Sequence, residues 1–276
     1  MDKSAVTTLV LLMCLPVLKG CVFPKECVQG YDGRVRRCCP NYKNSPCGSD
    51  LGRGYCGAVG TIRAVYPPDI NEDERKDFPR FFFNETCHCY DKYMGPNCGE
   101  CNFGYRGPTC KEQYNVTRRD FRELSLAEMT AYNAALHYCK SKIDPEFVIM
   151  RTSDRFRKRS FEFLEASYYD VLCFTHYYAT KDLISNSKET AFSINFAHGS
   201  TGFLSWHRYY LLLTERQIQK CLKNDSWALA YYQWQYDSEC FVCDNDYFGK
   251  SNINGKIESQ SVYSTWRVSV ETQQCL

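Results

Sequence analysis

Apolar residues recur at three- and four-residue steps in three stretches of the second half of the chain. Leu126, Met129, Tyr132, Leu136 and Cys139 form the first stripe, opened by Ser125 and Glu128 at the spacing of a capping box. Phe161, Leu164, Tyr168, Val171 and Leu172 form the second and predict a helix from Phe161 to about Tyr178. The third face comprises Phe203, Trp206, His207, Tyr210, Leu211, Thr214, Ile218 and Leu222, and predicts a helix from about Phe203 to Leu222. Between the last two, Lys181 to Lys188 is polar and reads as a loop. The basic run Arg151 to Arg159 contains Ser153 and Asp154 and reads as a solvated loop face, not a binding patch.

A shorter apolar run, Ala5 to Leu18, follows the polar start Asp2-Lys3 and ends near the small residue Gly20. Its 14 residues fall short of the roughly 20 that span a bilayer, so residues 1–20 read as a secretory signal peptide. No later stretch is apolar enough for a membrane helix. The expected product is soluble, without a membrane anchor, and luminal or extracellular.

Cysteines change the picture most. Of 18 in the chain, Cys14 lies in the signal, 11 fall between Cys21 and Cys110, and 6 run from Cys139 to Cys275. So many point to an oxidising compartment. The first segment is also rich in turn pairs such as Gly95-Pro96 and Gly107-Pro108, and buries little apolar surface. Disulfides, each worth about 2–4 kcal/mol, replace the missing core. The expected organisation is therefore a cysteine-rich region at 21–113 and a mainly α-helical domain at 114–276. Cys87, Cys89, Cys98, Cys101 and Cys110 are spaced C-x-C-x8-C-x2-C-x8-C and resemble an EGF-like module of the laminin kind. A zinc site on Cys98 and Cys101 is the rival reading, but it lacks a second CxxC pair. Asn84, Asn115 and Asn224 head glycosylation sequons.

The charge balance, 34 Lys+Arg against 32 Asp+Glu, excludes a strongly basic nucleic-acid binder. Only five histidines are present, yet His176, His198 and His207 fall within 32 residues. His176 sits among Phe174, Tyr177 and Tyr178, and His207 follows Trp206 on an apolar face. A buried imidazole needs a polar partner, and no Asp or Glu stands near each of these. Three together therefore favour a metal: copper, zinc, iron or nickel all suit neutral imidazole, and spacing does not choose among them. Phe174, Tyr177, Phe196, Phe203 and Trp206 are expected to wall a dry cavity. His88, pinched between Cys87 and Cys89, and His137 are poor ligand candidates.

The stretch Phe196-Ala197-His198-Gly199-Ser200-Thr201-Gly202-Phe203-Leu204-Ser205-Trp206-His207-Arg208 resembles the first copper-binding signature of tyrosinases and tyrosinase-related proteins. The likeness continues through Leu212, Glu215 and Ile218. Phe174-Thr175-His176-Tyr177-Tyr178 resembles the segment with that family's first ligand, and Tyr231-Tyr232-Gln233-Trp234 the aromatic segment after the site. Cys240 to Cys243, Ser261 to Arg267, Cys38-Cys39-Pro40 and Ser45 to Gly48 also have counterparts in the animal branch. The resemblance implies copper at His176, His198 and His207, with Phe203 packed against the ligand rings. It implies the pairings Cys89–Cys98 and Cys101–Cys110, and a type-3 copper four-helix-bundle core, here truncated. It further implies O2 and phenols or catechols as reactants, melanin-type pigment synthesis, and secretion or the lumen of a pigment organelle. Gly199 and Gln233 depart from the family's usual residues at those positions.

The family uses two coppers and three histidines for each. Six are needed, this chain holds five, and none follows His207. An incomplete tyrosinase-like chain is one expectation. The alternative is a short secreted cysteine-rich copper-binding or scavenging module without oxidase activity. A homodimer facing two such sites across a two-fold axis would supply six ligands; a single-zinc hydrolase lacks an evident general base. With half of the bundle absent, the faces carrying Phe174, Phe203 and Trp206 are expected to lack partners and to promote aggregation.

Overall fold

In a computed structural model the described residues are 22–60, 78–153, 157–180, 195, 197–199 and 201–267. The signal peptide, Phe196 and the tail beyond Arg267 lie outside them.

The cysteine-rich region is built from short pieces because its apolar content supports nothing longer. Strand β1 (Val22–Pro24) leads into the one-turn helix α1 (Lys25–Val28). Strands β2 (Arg36–Cys38), β3 (Asn41–Tyr42), β4 (Ser45–Pro46), β5 (Gly54–Ala58) and β6 (Phe83–Cys89) follow. The order β2-β6-β5 makes a small mixed sheet, and β3-β4 a hairpin. Two further hairpins, β7 (Tyr93–Met94) with β8 (Glu100–Cys101) and β9 (Tyr105–Arg106) with β10 (Glu112–Gln113), complete the region. Disulfides Cys27–Cys38, Cys39–Cys56 and Cys47–Cys87 staple the first part, and Cys89–Cys98 and Cys101–Cys110 the hairpins. The last two are the pairings expected from the family resemblance, and they leave no thiolates for zinc at Cys98 and Cys101.

Arg53 organises the interior of this region without a carboxylate partner. Its guanidinium lies between the rings of Tyr42 and Tyr93, at 4.3 and 4.4 Å, and donates to the carbonyls of Cys98, Gly99 and Pro108. Carbonyl dipoles and π-faces thus replace the lost hydration of the cation. Gly54 beside it allows β5 to approach β6, since a Cβ there would meet the His88 carbonyl at 2.5 Å.

Helix α2 (Leu126–Ser141) forms as expected, with both hydrogen bonds of the Ser125–Glu128 capping box in place. Leu126, assigned to its buried stripe, is instead exposed, whereas Met129, Leu136 and Cys139 are buried. Next comes β11 (Ile143–Thr152), where part of a solvated loop was expected at Arg151 and Thr152. The second predicted helix is corrected in its first two turns: Phe161 to Ser167 is strand β12, and helix α3 spans only Tyr168–Thr180. The reason is local. Phe161 and Phe163 meet the core with Glu162 exposed between them, a two-residue alternation, and β12 pairs antiparallel with β11. Ser167 then starts α3: its Oγ accepts the Asp170 N–H at 3.0 Å and donates to Asp170 Oδ2 at 2.8 Å. Helix α4 (Gly202–Leu222) matches the third expectation in extent.

The second region is thus three helices and a sheet, not a purely helical unit. The order β1-β11-β12 brings the N-terminal strand onto that sheet, with Phe23 opposite Val148. Phe23 packs edge-to-face on Phe78 and Phe82, and Phe82 on Phe161, in one buried cluster with Val171 and Phe174 of α3. A second core joins α2, α3 and α4 around Leu136, Leu172, Ile218 and the Cys139–Cys221 disulfide. The expectation of unpartnered faces is therefore corrected for Phe174 and Trp206, which are 1% and 2% exposed. It holds for Phe203, which with Leu204 and Leu211 leaves one flank of α4 open.

Candidate metal centre

Three backbone elements deliver the three histidines. His176 projects from the middle of α3, His207 from the second turn of α4, and His198 from the segment just before α4. Tyr210 fastens the two helices to each other: its hydroxyl donates to the Leu172 carbonyl at 2.9 Å. This bond fixes the separation at which His176 and His207 face one another.

The imidazoles form a nearly equilateral triangle. Ring centroids are 5.3 Å apart for His176 and His198, 5.5 Å for His176 and His207, and 5.2 Å for His198 and His207. One ring nitrogen from each lies within 4.8 Å of the others, and all three residues are half-buried. The His207 Nδ1 lies 2.8 Å from the Phe203 carbonyl. A carbonyl only accepts, so Nδ1 carries the proton and Nε2 keeps its lone pair for a metal. Burial, then the two facing imidazoles, push the His176 pKa below its ordinary value, favouring the neutral form that binds metal.

The surroundings correct the expectation of a dry cavity. Phe203 packs 4.2 Å from His207 and 6.1 Å from His198, and Trp206 lies 5.6 Å from His176. Tyr210, stacked on Trp206, completes the wall beside His176. Phe174 instead turns toward the aromatic core under the sheet. Among the described residues the site is therefore walled on the inner side by Trp206 and Tyr210, while Phe203 on its other side is half exposed. Among the described residues the Trp206 indole N–H, although buried, has no acceptor.

The donor set fits copper: three neutral imidazoles, at least one with its second nitrogen tied to a carbonyl. Among the described residues one other cluster has metal-ligand geometry, Cys39, Cys47 and Cys87. Its sulfurs are already consumed in the Cys39–Cys56 and Cys47–Cys87 disulfides.

Comparison with known proteins agrees with this geometry. Residues 166–274 match the family model described as the common central domain of tyrosinase. A tyrosinase from Coturnix japonica is 33% identical over 254 residues, covering 89% of this chain and 93% of that protein. The chain belongs to the tyrosinase family. A Bos taurus tyrosinase is 35% identical over 255 residues, covering 89% of this chain and 48% of that protein. A 5,6-dihydroxyindole-2-carboxylic acid oxidase from Gallus gallus is 33% identical over 290 residues, covering 96% of this chain and 54% of that protein. The chain thus spans about half the length of these two relatives. Membership in the tyrosinase family implies copper, one of the metals that imidazole ligands suit.

The other two histidines are engaged elsewhere. His88 stands half-buried on β6, stacked on Tyr55 at 5.1 Å, with Nε2 3.1 Å from the Ala58 carbonyl. His137 accepts the Trp266 indole N–H at 3.0 Å. Asn84, Asn115 and Asn224 are all exposed. Gly199 has φ 68°, a left-handed conformation that glycine adopts without the strain a side chain would bring. Glu215, part of the matching stretch, is buried and accepts two bonds from Arg118 and one from the Leu229 N–H, which ties α4 to both flanking segments. Sequence reasoning missed Asn195, whose bonds to the His198 segment are local and were signalled only by an Asn three residues before a ligand. Tyr210 was read as part of a buried stripe, with no role at the site.

Among the described residues no helix is long and apolar enough to cross a membrane. The disulfides fit an oxidising compartment.

Proposed function

We propose that this chain holds one copper ion at His176, His198 and His207, forming one half of a tyrosinase-type centre. The observation that carries the reading is the triangle of imidazole rings 5.2–5.5 Å apart, with the His207 tautomer fixed by the Phe203 carbonyl. Copper bound there supplies one-electron redox chemistry toward O2. The chain's own contribution is to hold three neutral imidazoles in place, to exclude water on the side of Trp206, and to set the half-exposed Phe203 on the other side.

Phenols or catechols are the reducing substrates in a complete centre, which oxidises them to quinones with O2 in pigment synthesis. Such a centre needs three further ligands. His88 and His137 sit in other parts of the fold with partners of their own, which supports a single copper site within residues 1–276. A secreted copper-binding or scavenging module is accordingly the second reading. The same proposal takes residues 1–20 as a signal peptide, 21–113 as a cysteine-rich region with EGF-like hairpins, and 114–276 as a copper-binding region of four-helix-bundle type. Glycans at Asn84, Asn115 and Asn224, and a secreted or pigment-organelle location, complete it.

Copper loading of the purified chain tests the proposal. One copper per chain, lost in His207→Ala, and no oxygen uptake with a catechol are the expected results. Unchanged copper in His207→Ala would overturn the ligand set. Oxygen uptake by a dimer holding two coppers would show that a second copy completes the centre.

A further inference from the structure

His198 belongs to no helix or strand, unlike its two companions. A ligand in a loop keeps its position only if the backbone around it is held. Asn195 does the holding. Its side-chain Oδ1 accepts the His198 backbone N–H at 2.7 Å and the Ala197 N–H at 3.1 Å. Its Nδ2 donates to the carbonyl of Thr180, the last residue of α3. Thr180 lies one helical turn beyond His176, so a single amide side chain joins the end of the first ligand's helix to the backbone of the second ligand. We infer that Asn195 is a positioning residue for the metal centre, setting His198 against His176 through its two faces.

The chemistry of the amide accounts for the choice. One oxygen receives two convergent N–H groups, closing a local turn, while the NH2 group reaches a helix-terminal carbonyl that has no partner within its helix. Alanine supplies neither function. Aspartate keeps the acceptor and loses the donor, which separates the turn around His198 from the link to α3. Supporting groups behind metal ligands typically carry about 10- to 100-fold in metal affinity.

This inference rests on the proposed copper site, and the test separates the two. Copper(II) affinity of the full chain is measured by chelator competition, with the paramagnetic resonance spectrum of the loaded protein as a second readout. Asn195→Ala is expected to keep one copper per chain, to bind it about 10- to 100-fold more weakly, and to change the nitrogen hyperfine pattern. Asn195→Asp, which keeps the turn around His198 and loses the link to α3, is expected to bind copper with an affinity between those of wild type and Asn195→Ala. An unaltered affinity and spectrum in Asn195→Ala would overturn the positioning role, as would an Asn195→Asp protein as impaired as the alanine variant. If Asn195→Ala does not fold, the aspartate variant alone decides: weaker copper binding than wild type supports the role of the link to α3, and an unaltered affinity and spectrum overturn it. Retention of copper by His207→Ala would overturn the site itself; its loss there, with Asn195→Ala unchanged, would overturn only the inference about Asn195.

Discussion

The Nδ1–H of His207 donates to the carbonyl of Phe203, one helical turn before it, at 2.8 Å. The bond uses the backbone of Phe203, and the Phe203 ring packs 4.2 Å from the same imidazole. Phe203 therefore supports the ligand twice, and only one of the two supports depends on its side chain. Phe203→Ala is expected to leave the tautomer intact and to lower copper affinity by less than about tenfold. Because the ring is half exposed, the melting temperature should barely move. Chelator competition and a thermal melt on the same preparation check both statements.

Leu204 and Leu211 are 77% and 53% exposed on the flank of α4 that also carries Phe203. Replacing both by Lys should raise the concentration at which the chain stays monodisperse, with little change in unfolding free energy. Light scattering across a concentration series is the measurement. A loss of stability above about 2 kcal/mol would mean that these positions are covered in solution.

Arg118→Ala should destabilise the fold by about 2–3 kcal/mol in urea unfolding. Its guanidinium makes two bonds, at 2.9 and 2.7 Å, to a Glu215 carboxylate that is 5% exposed. The variant leaves that buried charge with the Leu229 N–H as its remaining partner in this group. The double variant Arg118→Met with Glu215→Met should recover most of the loss.

Glu128 is held at a pKa of about 2, chiefly by the Arg119 guanidinium and then by the Ser125 N–H and hydroxyl. The folded value lies below the unfolded one, so the stabilisation is complete above about pH 4.5 and fades as pH falls toward 2. Comparison with Glu128→Gln should give a stability difference that is constant at neutral pH and vanishes near pH 2. A difference that persists at pH 2 would contradict the assignment.

Arg216 lies over the Phe103 ring at 4.6 Å and donates to the Cys101 carbonyl, while Lys220 pairs with Glu100 at 2.8 Å and Glu146 at 2.6 Å. Arg216→Ala should loosen the hairpins against α4. Amide exchange at Met94, Glu100 and Cys101 is expected to quicken well beyond that in α2.

Much of this was legible in the sequence, for physical reasons that differ by element. Helix α4 and the capping box of α2 depend on local periodicity and local hydrogen bonds, which a single chain displays. The three histidines were legible because their number and placement left no cheaper explanation. Strand β12 was not, because Phe161, Leu164 and Tyr168 satisfy a helical spacing while only Phe161 and Phe163, with Glu162 exposed between them, show the alternation of a strand. Pairing with β11 decided between them, and pairing is non-local. The Ser167-x-x-Asp170 cap was the available sign of the true helix start. The burial of Phe174 was equally hidden, since it depends on Phe23 and Phe82 arriving from the cysteine-rich region. Tyr210 reaches the neighbouring helix through one side-chain hydrogen bond and Asn195 makes three, none of which leaves a periodic trace.

The contact between the second disulfide hairpin and α4 carries a consequence for maturation. Cys101 is at once half of a disulfide and the owner of the carbonyl that Arg216 grips, and Glu100 beside it receives Lys220. Arg216 stands nine residues beyond His207 on the same helix, about 14 Å along its axis. A chain whose Cys101 is still reduced, or joined to a wrong sulfur, lacks the abutment on which that helix rests. Formation of the Cys101–Cys110 disulfide therefore bears on the seating of the helix that carries His207, and faulty cysteine pairing in the hairpin would be felt along that helix as well.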